Sequence, residues 1–412
     1  MNGLPFLATL LLLGVAAGGL AAGPARAEDS RHAQTRDGSA SHYRLFVGDH
    51  AEGIVRAIDL RTGSNVGTFR IDRTPALTRS LSGRTVFAVQ GDAGNVSVID
   101  TGVTVEDHGD HADLKIQDAR LLPTVITGTA PAHIVEGSGV VALFDDGTGE
   151  VALFRESELS QPSFAARRLR PTGAHHGLAA PMGSHLVVSV PSDAADKPRP
   201  GLMVVDEQGH QVGAMTSCPG VHGQAQSGGM FAFGCRDGIV LARPATGLKP
   251  PTLQHLPTAG LGDGYVSTLK GGSAMQFFLG NFGPNAVVII EPDTPRPFRR
   301  IDLPARRVDF VLDPSKAERA YILTEDGKLH VLDILTGAIE RSAQITGPYS
   351  MDGHWRAPRP RLAVAGDDVA VTDPLKGVVR LVSAATLEER RTIKVEGIPY
   401  TIVAVGGSGA DH

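Results

Sequence analysis

Cysteine is nearly absent: the 412-residue chain holds two, Cys218 and Cys235. A thiolate-rich metal centre needs more cysteines or closer spacing, so that chemistry is excluded. In an exported chain these two are expected to form one disulfide. Basic tracts are missing as well, and the formal net charge is −5, so a surface built to hold nucleic acid through its phosphates is excluded. Beyond the N-terminus no run is long and apolar enough to span a bilayer. The chain also lacks a Ser-His-Asp arrangement, a phosphate-cradling glycine loop and a C-x-x-C-H haem-attachment motif. Aromatic residues are sparse at 5%, whereas Gly (50) and Pro (27) are abundant. With Val, Ile and Leu spread in short runs, this is a composition of many strands and turns, not of helical bundles.

The chain opens on "LPFLATLLLLGVAAGGLAAG" followed by "PARAED". An apolar run ending in small residues at Ala25 and Ala27 reads as a secretory signal peptide over residues 1–27, although no Lys or Arg precedes it. A retained membrane anchor is the alternative. The reading implies export to the periplasm and no membrane span in the mature chain. Residues 28–42 are polar and aperiodic, which predicts a flexible arm carrying His32 and His42. About 385 residues remain after the signal, enough for a large core.

Strand-like runs such as "YRLFVGD", "GIVRAIDL", "TVFAVQGD" and "VVALFDDG" recur every eight to twelve residues with turn residues between them. Laid over one another they form units of roughly 45 residues, the size of one four-stranded propeller blade. Unit starts fall near Leu77, His133, His176, His222, Val266, Asp309, His354 and Pro399. The spacing predicts an all-β, single-domain β-propeller over residues 43–407 with a tail at 408–412. Eight blades is the count, with seven the alternative. "PYTIVAVGG" is a lone inner strand and residues 43–71 supply three strands lacking one. Pairing them closes the ring and leaves no open sheet edge.

Fifteen histidines occur, and most sit where solvation is expected, among them His50, His185, His210, His255 and His330. Three do not. "TAPAHIVE", "TGAHHGLAA" and "CPGVHGQAQ" each lead into the innermost strand of a blade. His133, His176 and His222 thus hold nearly equivalent positions in consecutive blades and point at one volume near the channel mouth. Convergent imidazoles suit a borderline divalent ion such as Zn2+. His175 is the alternative within its pair, because adjacent strand residues face opposite ways. His354, in "SMDGHWRAP", leads into the seventh blade from farther around the ring and reads as channel lining beside Trp355.

The densest run of ligand types is "VEDHGDHADLK", residues 105–115, with Asp107, His108, Asp110, His111 and Asp113. It is the insertion that lengthens the first repeat. Strand counting puts it at the face opposite the channel mouth, unless it bends back along the channel. A lid, a supplier of an acidic ligand and a second, weaker site all remain open.

The stretches "EDHGDHADL", "AHHGLAAP", "CPGVHG", "AFGCRDG", "LTEDGKLHVLDILTGAI", "YSMDGHWRAPRPRLAV" and "DPLKG" resemble the AztD-type periplasmic zinc metallochaperones, over about residues 43–407. The resemblance implies a β-propeller that carries Zn2+ and hands it to the periplasmic solute-binding protein of a zinc ABC importer. It implies a site of blade-leading histidines plus an acidic side chain. The matching histidines are His133, His176 and His222. The fourth ligand is then sought among Asp107, Asp110 and Asp113, with His108 and His111 as competitors. Relatives often carry a His- and Asp-rich terminal arm, where this one holds only His32 and His42. The expectation is a monomeric carrier and no enzyme. A metal-assisted hydrolase or lactonase with an open zinc position and a metal-free YVTN-type scaffold are the competing readings.

Overall fold

The computed structural model describes residues 39–411, except 109–111 and 195. The signal segment and most of the arm, with His32, lie outside the described residues, as do Asp110, His111 and the side chain of Asp107. Strands dominate the described chain, arranged as eight antiparallel blades around a channel. From the channel outward, blade 1 is Ala76–Arg79, Thr85–Gln90, Asn95–Asp100 and Arg120–Thr127. Blades 2 to 7 repeat the pattern from innermost strands Pro131–Gly137, Ala179–Met182, His222–Ser227, Leu269–Lys270, Arg307–Leu312 and Leu362–Ala365.

Blade 8 closes the ring. Its innermost strand is Pro399–Asp411, and its other three are Ser39–Asp49, Ile54–Asp59 and Asn65–Arg70. Leu45 faces Ala404 and Val47 faces Ile402 in the closing register. Strand structure therefore begins at Ser39 and runs to Asp411, so Ser39–His42 and Ser408–Asp411 belong to the blade and not to the arm or the tail. His42 shows why: it is buried and its Nε2 lies 2.6 Å from Asp59 Oδ2.

Turn chemistry explains the repeat. In "IDLRTG" and "LDILTG" an aspartate at the strand end accepts hydrogen bonds from the threonine three residues on. Thr62 N–H reaches Asp59 Oδ1 at 3.1 Å, and Thr336 N–H reaches Asp333 Oδ1 at 2.6 Å. The glycines that follow, Gly63 and Gly337, both sit at φ 75°, a left-handed conformation open to glycine at little cost.

Each second strand is buried on both faces. Thr85–Gln90 and Met230–Cys235 are buried along their whole length, because neighbouring blades cover both sides of each sheet and leave no polar face. Fourth strands such as Gln211–Ser217 face solvent. The core is therefore a series of seams between blades. One seam packs Val135, Leu178, Ala180, Val187, Phe231 and Phe233 around Cys218 and Cys235, which form the expected disulfide. Two-sided burial also corrects the solvated reading of His330. It is buried, with one ring nitrogen 2.9 Å from Thr324 Oγ1 and the other 2.7 Å from Ser342 Oγ.

The 103–116 insertion forms a hairpin, Val103–Asp107 with Ala112–Ile116, that leaves blade 1 and extends blade 8. Its second strand pairs in parallel with the far end of the closing strand, Ala410 opposite Asp113. No described helix is long and apolar enough to cross a membrane.

Candidate metal centre

All innermost strands run the same way from one mouth of the channel. His133 and His222 lie at the leading ends of the first strands of blades 2 and 4, and His176 lies three residues before that of blade 3. The repeat thus delivers three imidazoles to one place. The ring centroids of His133 and His176 are 4.9 Å apart, those of His176 and His222 5.3 Å, and those of His133 and His222 6.3 Å.

The nitrogens are presented in a defined way. His133 Nε2 and His176 Nε2 lie 3.4 Å apart. Two nitrogens bound to one tetrahedral zinc at about 2.0–2.1 Å are separated by roughly 3.3–3.4 Å. The opposite nitrogens are occupied. His176 Nδ1 lies 2.6 Å from Asp146 Oδ2, and His222 Nδ1 lies 2.9 Å from the Ser267 carbonyl oxygen. An Nδ1–H donated to a carboxylate or carbonyl fixes the tautomer with Nε2 unprotonated, the form that ligates a metal. Asp146 Oδ1 also accepts from Gly177 N–H at 3.1 Å, so one carboxylate holds both the ring and the backbone beside it.

Charge and burial favour neutral rings at His133 and His222. Burial, followed by the neighbouring His176, lowers His133 to a pKa of about 4. Burial also lowers His222, opposed by its bond to Ser267. Arg199 lines the same pocket and adds positive charge. Its Nε and Nη2 donate to the Val221 carbonyl at 2.9 and 2.6 Å, anchoring the backbone just before His222. The disulfide at Cys218 ties down the same segment.

Among the described residues, the remaining sequence candidates His175, His354, His108 and Asp113 do not join the three histidines. His175 turns away: Nδ1 lies 2.9 Å from the Gly173 carbonyl and Nε2 2.8 Å from Ser189 Oγ, with the ring edge-on to Phe144. Burial lowers its pKa too. His354 stacks on Trp355, a side chain 71% exposed, in a segment that Arg356 ties to Asp92 of blade 1 at 2.8 Å. His108 and Asp113 sit on the hairpin, at the far end of the closing strand, so of the acidic ligands sought there Asp113 is not brought to the mouth; Asp110 and the Asp107 side chain lie outside the described residues. Strand pairing is the reason: the hairpin is spent on extending blade 8. Its own residues form a separate group, with ligand atoms of Glu106, His108 and Asp113 all within 4.8 Å of one another. A third cluster, Cys235, Asp237 and His255, is removed from metal chemistry by the disulfide.

Sequence reasoning missed Asp146, Arg199, Ser189 and Ser267. For Asp146 a signal existed. The turn "FDDGTG" joins the second and third strands of blade 2, Val140–Asp145 and Glu150–Phe154, and so returns to the mouth. Asp146→Asn is expected to weaken zinc binding about 10–100-fold, the usual cost of losing such a support, with the unfolding midpoint little changed; competition with a chromophoric chelator reads the difference.

Fold and site define a class: an eight-bladed propeller whose channel mouth presents three imidazoles, two of them with hydrogen-bonded supports. Within it, the chain belongs to the AztD zinc chaperone family. It is 44% identical to the zinc chaperone AztD of Citrobacter koseri over 378 residues, 91% of this chain and 89% of that protein. The crystal structure of Citrobacter koseri AztD superposes with a TM-score of 0.87, covering 90% of this chain and 100% of that one. The structure of apo AztD from the same organism gives 0.85 at 43% identity, covering 90% and 99%. The dihydro-haem d1 dehydrogenase NirN shares the fold alone, with a TM-score of 0.56 at 14% identity over 87% of this chain and 74% of that one. No family model matches the chain. The family is one of chaperones, not of enzymes.

Proposed function

We propose that this protein is a periplasmic zinc metallochaperone that binds Zn2+ through Nε2 of His133, His176 and His222 and delivers it to the solute-binding protein of a zinc ABC importer. The carrying observation is the 3.4 Å approach of two Nε2 atoms, with the far nitrogens of His176 and His222 fixed on Asp146 and Ser267. Membership of a zinc chaperone family supplies the cargo, since nitrogen ligands alone favour Cu2+ over Zn2+. Export accords with the N-terminal apolar run and the disulfide. The space enclosed beside the three rings is about 10 Å³, room for one water or one incoming ligand atom.

Delivery proceeds by ligand exchange at this fourth position. An acceptor side chain takes it first, and the imidazoles then leave in turn. Zinc-loaded protein mixed with apo acceptor and an excess of chelator is expected to load the acceptor faster than zinc dissociates to the chelator alone. Loading only at the dissociation rate would defeat direct delivery.

The hairpin group Glu106, His108 and Asp113 is proposed as a second, weaker zinc position. Glu106 is already committed to Lys115 at 2.9 Å, and an ion there competes with that partner. His108→Ala with Asp113→Asn is expected to abolish a weaker phase in zinc titrations and leave the tight phase intact; an unchanged two-phase titration would rule out this assignment.

A further inference from the structure

Blade 4 carries a further set of metal-ligand types, made of residues other than the three imidazoles. Cys235 ends its second strand, and the turn residues Arg236 and Asp237 lead straight into its third, with Cys235 opposite Gly238. His255 lies on the fourth strand, opposite Val240. The tight turn thus brings a sulfur, a carboxylate and an imidazole to one end of the blade. One ligand atom from each of Cys235, Asp237 and His255 lies within 4.8 Å of the other two. His255 Nε2 is 3.0 Å from Asp237 Oδ1. A Cβ on Gly238 would come within 3.0 Å of the same nitrogen, so the glycine leaves the ring its room.

A second sulfur belongs to this group. Cys218 is bonded to Cys235, with their Cα atoms 4.9 Å apart, and Arg236 N–H donates to the Pro219 carbonyl at 2.8 Å. The backbone therefore keeps both sulfurs together when the bond between them is opened. Closed, the bridge withholds them from any ion. Open, the donor set is two thiolates, one imidazole and one carboxylate, which completes a tetrahedron for a borderline ion such as Zn2+. Asp237 is exposed and His255 partly so, while the sulfurs are buried, so an ion enters from solvent past the carboxylate.

We propose that Cys218, Cys235, Asp237 and His255 form a metal site for Zn2+ that exists only while the disulfide is reduced. A dithiol reductant supplies the two electrons: the S–S bond breaks, the reductant closes its own disulfide, and the two thiols pass their protons to solvent as the ion binds. Because the ion binds the reduced form alone, it draws the bridge toward reduction by mass action. The site shares no residue with the histidine cluster, so its failure leaves the zinc reading standing.

Co2+ is the probe, because a thiolate ligand gives cobalt a near-ultraviolet charge-transfer band that imidazole does not. The full chain is reduced with a phosphine, freed of it without air, and titrated. A band that saturates at one Co2+ per chain is expected in the reduced protein, absent from the oxidised protein and abolished by added Zn2+. His255→Ala should weaken that binding roughly a hundredfold, the share of one ligand in a four-donor site. No band in the folded, reduced protein, or binding undiminished in His255→Ala, overturns the proposal. Should reduction unfold the chain, Cys218→Ser frees the Cys235 thiol without a reductant. The band is then expected in that variant and lost when His255→Ala is added, and its absence from Cys218→Ser overturns the proposal equally.

Discussion

His176→Ala is expected to lower zinc affinity by two to three orders of magnitude. A four-ligand protein zinc site has an apparent binding free energy of about 10–16 kcal/mol, so each ligand contributes roughly 3–4 kcal/mol, about a factor of 10²–10³. His176 is the most informative of the three. Its ring lies between the other two, and its Nδ1 is held by Asp146. His176→Gln keeps a polar group but loses the imidazole nitrogen, and is expected to behave like the alanine variant. Folding should be little affected, because the ring lies at the mouth, outside the seams between blades. Competition titration gives the affinity and thermal unfolding gives the control. An affinity within a few-fold of the parent protein would remove His176 from the ligand set.

The second large effect concerns stability. Replacing Cys218 and Cys235 together by alanine opens a loop with a separation of 17 residues and is expected to cost about 3 kcal/mol, the chain-entropy value for a loop of that size. Both side chains are buried against Val221, Phe233 and Val240, so alanine also removes packing from that seam. The consequence reaches the metal. Cys218 begins the segment that ends at His222, and without the bridge that segment is held by Arg199 at Val221 and by the first strand of blade 4. Zinc affinity should therefore drop, by less than in His176→Ala. Guanidinium unfolding read alongside zinc competition separates the two effects. A double alanine variant as stable as the parent would show that the seam, and not the bridge, holds this region.

Much of this was legible in the residues. The blade repeat is written in part in the Asp-x-x-Thr-Gly turns at Asp59 and Asp333, where the same side-chain bond and the same left-handed glycine carry a third strand into a fourth. The convergence of His133, His176 and His222 followed from that period, since equal positions in consecutive blades meet at one mouth. What resisted was contact between segments distant in sequence. Asp146 lies next to Asp145, whose side chain does ordinary turn work by accepting from Thr129 N–H and bonding Thr148 Oγ1. Nothing local marks which of the two faces the channel. The ligand-rich run at 105–115 misled for the converse reason: its composition suggests a metal site, but its position is set by pairing with a strand three hundred residues away. His42 looks solvated in sequence because the segment leading to it is polar and aperiodic, and His330 because alternation is a poor guide where both faces of a sheet are covered.

The central claim is that three imidazoles from blades 2, 3 and 4 share one zinc ion. An anomalous difference map collected across the zinc edge, from crystals grown with one equivalent of zinc, tests it directly. The account predicts a principal peak at the channel mouth, within about 2.0–2.1 Å of Nε2 of His133, His176 and His222. A principal peak on the 103–116 hairpin, with the three rings empty, would contradict it.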